Sequence, residues 1–388
     1  MSVSQLARSI KASPTLRLNE TAAKLREKGE PVIHLGGGEP KTKAPLDAVL
    51  NCSTQLNTGE VRNAPSDGLL ALKKAILSYT DETYGRLLAP QNVIVSSGAK
   101  QSIMTLLYAI LEPKDEVIYP APYWVSYPEM VKLAGGVGVA VTPEDGSFLP
   151  TVPDIADKVG SYTKAIILNS PNNPSGIMYP ADFVAEMVEF CEKKDLWLVM
   201  DDLYNRLVFD GQKAPNPYDY AKLPVEQSKL VVVQGVSKMY AMTGFRIGWS
   251  VAPRAVSQAM TALQSHTTSN AATVSQHAAL AALTRTAEAD AAIHAMVGEF
   301  RARRDAARAI LAAIPDLELV EPEGAFYLFF KAPGGDGSAF AEKLLEQEGV
   351  AVVPGLAFGT PEYLRVSYAA ARADVEAAMH AIVRAWTA

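Results

Sequence analysis

Short apolar runs and longer mixed stretches alternate along most of the chain, and their spacing predicts its elements. Runs at 32–35, 93–95, 116–119, 164–168, 197–200, 230–233 and 247–251 read as strands. Helical stretches follow some of them, one from the SSGAKQ segment to about residue 111 and another over 253–265. From about residue 46 to 290 this alternation predicts an α/β fold, a mostly parallel sheet with helices on both faces. Residues 1–30 read as an arm followed by an amphipathic helix that ends near Gly29. A long Ala- and Arg-rich helical stretch begins near residue 288, its alternating charge suited to a solvated face. Strands at 318–320, 325–330 and 350–353 then read as a small α+β unit. The expected division is 1–45 for the arm and part of a small domain, 46–290 for a large domain, and 291–388 for the rest of the small domain.

Composition narrows the class. With 388 residues, 48% hydrophobic and 20% charged, the chain reads as an ordinary globular protein. A net charge of −6 without a basic run argues against nucleic acid. Cys52 and Cys191 are too few for a disulfide scaffold and lack zinc-ligand spacing, so no metal is expected. No apolar run approaches the ~20 residues that span a bilayer, and the N-terminus lacks a signal-peptide core. A reducing cytoplasm is the default expectation.

The chemistry concentrates in QGVSKMYAMTGFRIGW, residues 234–249. Lys238 leaves an apolar strand, where its ammonium must be desolvated or paired. Desolvation lowers a lysine's pKa, the condition for a Schiff base with a carbonyl. Ser237 and Arg246 add a hydroxyl and a guanidinium fork suited to phosphate. A carbonyl and a phosphate on one ligand suggest pyridoxal 5'-phosphate. The plainer alternative is a surface lysine beside an ordinary ion pair.

This stretch resembles the cofactor-lysine signature of the class I aminotransferases, the fold-type I family that includes aspartate aminotransferase. GGGEP at 36–40, SPNNPSG at 170–176 and LRVSYA at 364–369 occur in the family's order, so the similarity runs over nearly the whole chain. The resemblance implies pyridoxal phosphate on Lys238, with Asp201 against the pyridine nitrogen and Tyr204 and Asn173 on the phenolic oxygen. Asp201 closes a buried strand, where a carboxylate needs a cation; Asp202 reads as a turn or solvent residue. By the same resemblance, the backbone of Ala99 and Lys100 joins Ser237 and Arg246 on the phosphate, Trp124 lies against the ring, and Gly38, Asn173 and Arg365 meet the substrate carboxylate. Read alone, Gly38 is equally a turn, Trp124 packing, and Arg365 a structural ion pair.

In a bacterial branch of the family, a lysine at the position of Lys100 works with arm Ser and Thr on a distal carboxylate. Ser13 and Thr15 match those types, although both also suit helix capping. The expected reaction is therefore transamination of a dicarboxylic pair, aspartate or glutamate with a 2-oxo acid, in a homodimer. Aromatic or prephenate-like substrates are the main rivals; a lyase on the same fold and a ligand-binding regulator are further alternatives. Residues 266–270, HTTSN, resemble a loop sent to the neighbouring subunit's cofactor, and read equally as an inter-helix turn. Two positions depart from the family pattern. Asn63 stands where a tyrosine usually reaches the partner's phosphate, and Gly235 where many relatives carry a serine.

Overall fold

The computed structural model describes residues 3–12, 14–143, 147–284 and 287–387. Seven strands form the central sheet, in the order Val137–Val141, Glu116–Pro120, Thr163–Asn169, Trp197–Asp201, Leu230–Gly235, Gly248–Val251 and Val93–Ser96. The first five are parallel, and Gly248–Val251 runs antiparallel to both of its neighbours. The central strands are apolar on both faces because helices cover both. Ile166, Leu198 and Val232 point into one core, and Ala165, Val199 and Val231 into the other.

The alternation expected from residue 46 begins later. Residues 46–92 hold the helices Leu46–Asn57 and Leu70–Tyr84, and the first sheet strand starts at Val93. In the second helix Leu72, Ile76 and Tyr79 are buried, a spacing of four and three that a strand cannot present on one face.

A second sheet, Val353–Pro354, Tyr363–Ser367, Tyr327–Lys331 and Leu319–Val320, is antiparallel throughout. The helices Ala287–Leu311, Gly337–Glu348 and Arg372–Thr387 accompany it. Ile33–His34 pairs in parallel with Val350–Ala351, and the Ser367 amide donates to Leu35 O at 2.7 Å. The glycine segment that follows residue 35 is thereby laid beside Tyr363–Ser367. Among the described residues no helix is long and apolar enough to cross a membrane.

Candidate active site

The C-terminal ends of the parallel strands, the glycine segment and the antiparallel sheet enclose a cavity of about 260 Å³. Ligands of open α/β sheets sit at such strand ends. Its walls include Gly38, Ala99, Lys100, Trp124, Asn169, Asn173, Asp201, Tyr204, Ser237, Lys238, Arg246, Tyr327 and Arg365. Eleven of these were singled out from the sequence; Asn169 and Tyr327 were not.

Lys238 follows the strand Leu230–Gly235 on a single helical turn, Val236–Met239. Its Nζ donates to Gly38 O at 2.5 Å. Burial pulls its pKa down to about 8; Arg246 and Arg365 push the same way, while Glu39 and Asp201 oppose them. Such a lysine is partly neutral near neutrality, which makes it a usable nucleophile and base.

Asp201 closes the strand Trp197–Asp201 and is 4% exposed. Its Oδ2 accepts from Tyr127 Oη at 2.6 Å, whereas the buried Oδ1 has no hydrogen-bond partner among the described residues. Burial lifts its pKa to about 6, with the Tyr127 hydrogen bond, the Leu203 backbone amide and the Lys238 charge pulling the other way. A buried carboxylate oxygen left single is costly unless a donor or cation meets it.

Asp202 is a correction. It is 2% exposed, not a solvent residue, and accepts from Tyr84 Oη at 2.7 Å. Burial raises its pKa to about 7. The partner comes from the end of the helix Leu70–Tyr84, which folds over this strand end, and Asn205 Nδ2 donates to the same hydroxyl at 3.1 Å. No local pattern could announce a partner so far away in the chain.

At one end of the cavity the helix Ala99–Ile110 begins after Gly98, whose φ is 86°. A Cβ on Gly98 would lie 2.9 Å from Arg246 Cζ, so the guanidinium can lie against the turn only because the residue is glycine. Arg246, itself at φ 54°, donates to Thr243 O at 3.2 Å and Ser97 O at 3.5 Å. Buried Ser237 completes this group. Backbone amides at a helix start, a hydroxyl and a guanidinium form an anion cup. Gly235 has no room for a side chain, since a Cβ there would lie 2.8 Å from Ile247 O.

At the other end Arg365, on the strand Tyr363–Ser367, is 2% exposed. It donates to Asn173 Oδ1 at 2.8 Å and Gly36 O at 2.7 Å, and its Nε has no hydrogen-bond partner among the described residues. Burial lowers its pKa from the ordinary value. The Asn173 amide N–H donates to Asn169 Oδ1 at 2.8 Å, and Asn169 Nδ2 donates to Asp201 O at 2.8 Å. Asn173 Nδ2 donates to Tyr204 Oη at 3.5 Å, and that hydroxyl lies 2.9 Å from Tyr327 Oη.

Lys100 lies over the Trp124 ring, 5.0 Å from its centroid. Lys100 is exposed overall, and partial desolvation of its ammonium together with Arg246 lowers its pKa. Ser13 is outside the described residues; Thr15 belongs to the helix Pro14–Glu27, but its side chain is outside them too. Asn63 is exposed in the loop after Leu46–Asn57, and Thr273 Oγ1 donates to neighbouring Arg62 O at 2.6 Å. Residues 266–269 are also exposed, with Gln101 Nε2 donating to Thr268 Oγ1.

The site residues missed from sequence are Tyr127, Asn169 and Tyr327. Asn169 carried a signal, a polar residue ending an apolar strand. The two tyrosines carried none, because each sits among residues that read as core.

The model of the family described as aminotransferase class I and II matches residues 30–382. An aspartate aminotransferase of Bacillus subtilis is 37% identical over 99% of this chain and 98% of its own. The aspartate/prephenate aminotransferase of Thermus thermophilus is 35% identical over 98% of each. The solved structure of aspartate aminotransferase from Thermus thermophilus with maleate superposes with a TM-score of 0.94 at 34% identity, covering 99% of this chain and 100% of that one.

Proposed function

The chain belongs to the aminotransferase class I and II family, whose cofactor is pyridoxal 5'-phosphate, and we propose how its residues divide that work. The supporting observation is the pairing, in one cavity, of a desolvated lysine with a buried carboxylate oxygen that has no hydrogen-bond partner among the described residues. When bound, the cofactor supplies an electron sink for the bonds at an amino acid's Cα. Lys238 would hold its aldehyde carbon, and Asp201 Oδ1 would accept from its ring nitrogen and keep that nitrogen protonated. Ser237, Arg246 and the amides of Ala99 and Lys100 would take the phosphate. Tyr204 and Asn173 would face the phenolic oxygen, and Trp124 the ring. Arg365 would fork the substrate α-carboxylate, with Asn173 and Gly38 beside it. With its amine free, Lys238 would be the base that takes the proton from the amino acid's Cα and delivers it to the cofactor's aldehyde carbon, the transfer running in reverse for the 2-oxo acid. Arg365 and Asn173 share one hydrogen-bonded frame, which would hold the carboxylate in a single orientation relative to Lys238.

The preferred substrates are the dicarboxylic amino acids aspartate and glutamate, with 2-oxoglutarate and oxaloacetate as their partners. Lys100 supports this reading: it is the cation at the cavity mouth that neither the α-carboxylate nor the ring requires. Relatives named for aspartate and a structure with the dicarboxylate maleate favour it as well. Prephenate is the second reading, favoured by the Thermus relative named for both substrates. The working form is a homodimer in the cytoplasm. Leu46, Val49, Leu50, Leu56 and Val61 are exposed on one helix and the loop that leads to Asn63, a surface suited to a second copy. The two free cysteines agree with a reducing compartment.

Mixing the holoenzyme with single amino acids and following the visible band tests the substrate class. Aspartate and glutamate should convert it fastest. Losing a charge-assisted hydrogen bond costs ~1.5–3 kcal/mol, so Lys100→Ala should lower kcat/KM for aspartate roughly tenfold to a hundredfold and leave alanine nearly unchanged. Equal losses for both would return Lys100 to the phosphate.

A further inference from the structure

Tyr327 opens the strand Tyr327–Lys331 and is fully buried, yet it lines the cavity. Register pairs it with Ser367 and pairs Phe329 with Arg365, so Tyr327 and Arg365 are diagonal neighbours on one face. The guanidinium carbon lies 4.6 Å from the tyrosine ring centroid. The hydroxyl is 2.9 Å from that of Tyr204, and a Cβ on Gly38 would approach it to 3.1 Å. Tyr327 therefore touches the residues assigned to the carboxylate and to the phenolic oxygen at once.

A proton inventory decides what its hydroxyl does. Arginine carries only donors, so its bond to Asn173 orients that amide, with Oδ1 toward Arg365 and Nδ2 toward Tyr204. Tyr204 thus already accepts from one side. Its single proton can go either to Tyr327 or into the cavity. Only if Tyr327 is the donor of the pair does Tyr204 keep a proton for a ligand oxygen. The Arg365 charge over the Tyr327 ring favours that direction, because a nearby cation polarises the O–H outward.

We propose that Tyr327 is a positioning residue that donates to Tyr204 and so turns the Tyr204 proton toward the cofactor's phenolic oxygen. This rests on the assignment of Tyr204 above. A hydroxyl that accepts a hydrogen bond is itself a stronger donor, by about 10–30% per bond. Removing Tyr327 Oη should therefore weaken what Tyr204 gives to an anionic oxygen.

The test is a pH titration of the visible band of the holoenzyme in four forms: wild type, Tyr327→Phe, Tyr204→Phe and the double variant. A hydrogen bond to the phenolic oxygen favours its anion, so each single variant should raise the midpoint, Tyr327→Phe by the smaller shift. The double variant should titrate like Tyr204→Phe alone, since one effect acts through the other. An unchanged midpoint in Tyr327→Phe, or shifts that simply add, would overturn the proposal. A change only in KM for amino acids would likewise overturn it, leaving the ring as a support for Arg365. Tyr327→Met, close in volume and without a hydroxyl, serves if the phenylalanine variant does not fold. A wild-type protein that binds pyridoxal phosphate without a titrating band would instead sink the assignment of Lys238 and Tyr204 themselves.

Discussion

Lys238 and Asp202 show how burial sets the protonation of single residues. Because burial lowers the lysine toward about 8, the neutral amine gains population as pH rises through that value. Attachment of pyridoxal phosphate to the apoprotein should accelerate over the same range. Borohydride should then fix the cofactor on Lys238, and peptide mapping that found it on another lysine would refute the site. Asp202 has the opposite sign. Its folded pKa of about 7 exceeds the ordinary 3.8, so the folded state binds more protons than the unfolded one between those values. Stability from this group is present below about pH 4 and is lost as pH rises through about 7. Urea midpoints of the apoprotein should fall across that window, and Asp202→Asn should flatten the decline. An equally steep decline in the variant would place the proton elsewhere.

Single elements do the work of aiming. The helix Ala99–Ile110 presents its free amides to the cavity because Gly98 turns the chain at φ 86° and leaves room for the Arg246 guanidinium. Gly98→Ala should disturb both features. A side chain in that backbone region costs about 1–3 kcal/mol, so cofactor affinity measured by equilibrium dialysis should fall roughly tenfold. Inorganic phosphate should compete less well against the cofactor by a similar factor. Unchanged affinity would mean that the cup does not depend on this turn. The strand ends act in the same way: Asn169 and Asp201 are register partners on neighbouring strands, which is why one amide can brace both Asp201 and Asn173.

At the scale of the whole molecule, the exposed apolar helix Leu46–Asn57 sets the expectation for assembly. Leu50 is 52% exposed and Leu46 70%, a surface that a second copy would bury. Leu50→Asp should shift the sedimentation of the protein from dimer toward monomer at micromolar concentration and weaken cofactor retention with it. A wild-type monomer by the same measurement would remove the homodimer and the reading of residues 266–270 as a loop for the neighbouring site.

Much of the architecture was legible along the chain because it depends on local order. Apolar runs mark strands, glycines and prolines mark their ends, and Lys238, Asp201 and Asn173 are carried to one edge by covalent continuity with those strands. The alternation starts at Val93 and not near residue 46, because the apolar spacing over the described residues 46–92 is helical, with no strand among them. Only the tertiary structure decided the partners. Tyr127 on Asp201, Tyr84 on Asp202 and Tyr327 on Tyr204 join residues far apart in the chain, and each tyrosine lies in a stretch that reads as core. A hydroxyl at the edge of a buried ring leaves no periodic trace. Whether it meets a carboxylate, another hydroxyl or nothing is set by how elements pack, and that in turn sets desolvation and charge at the site.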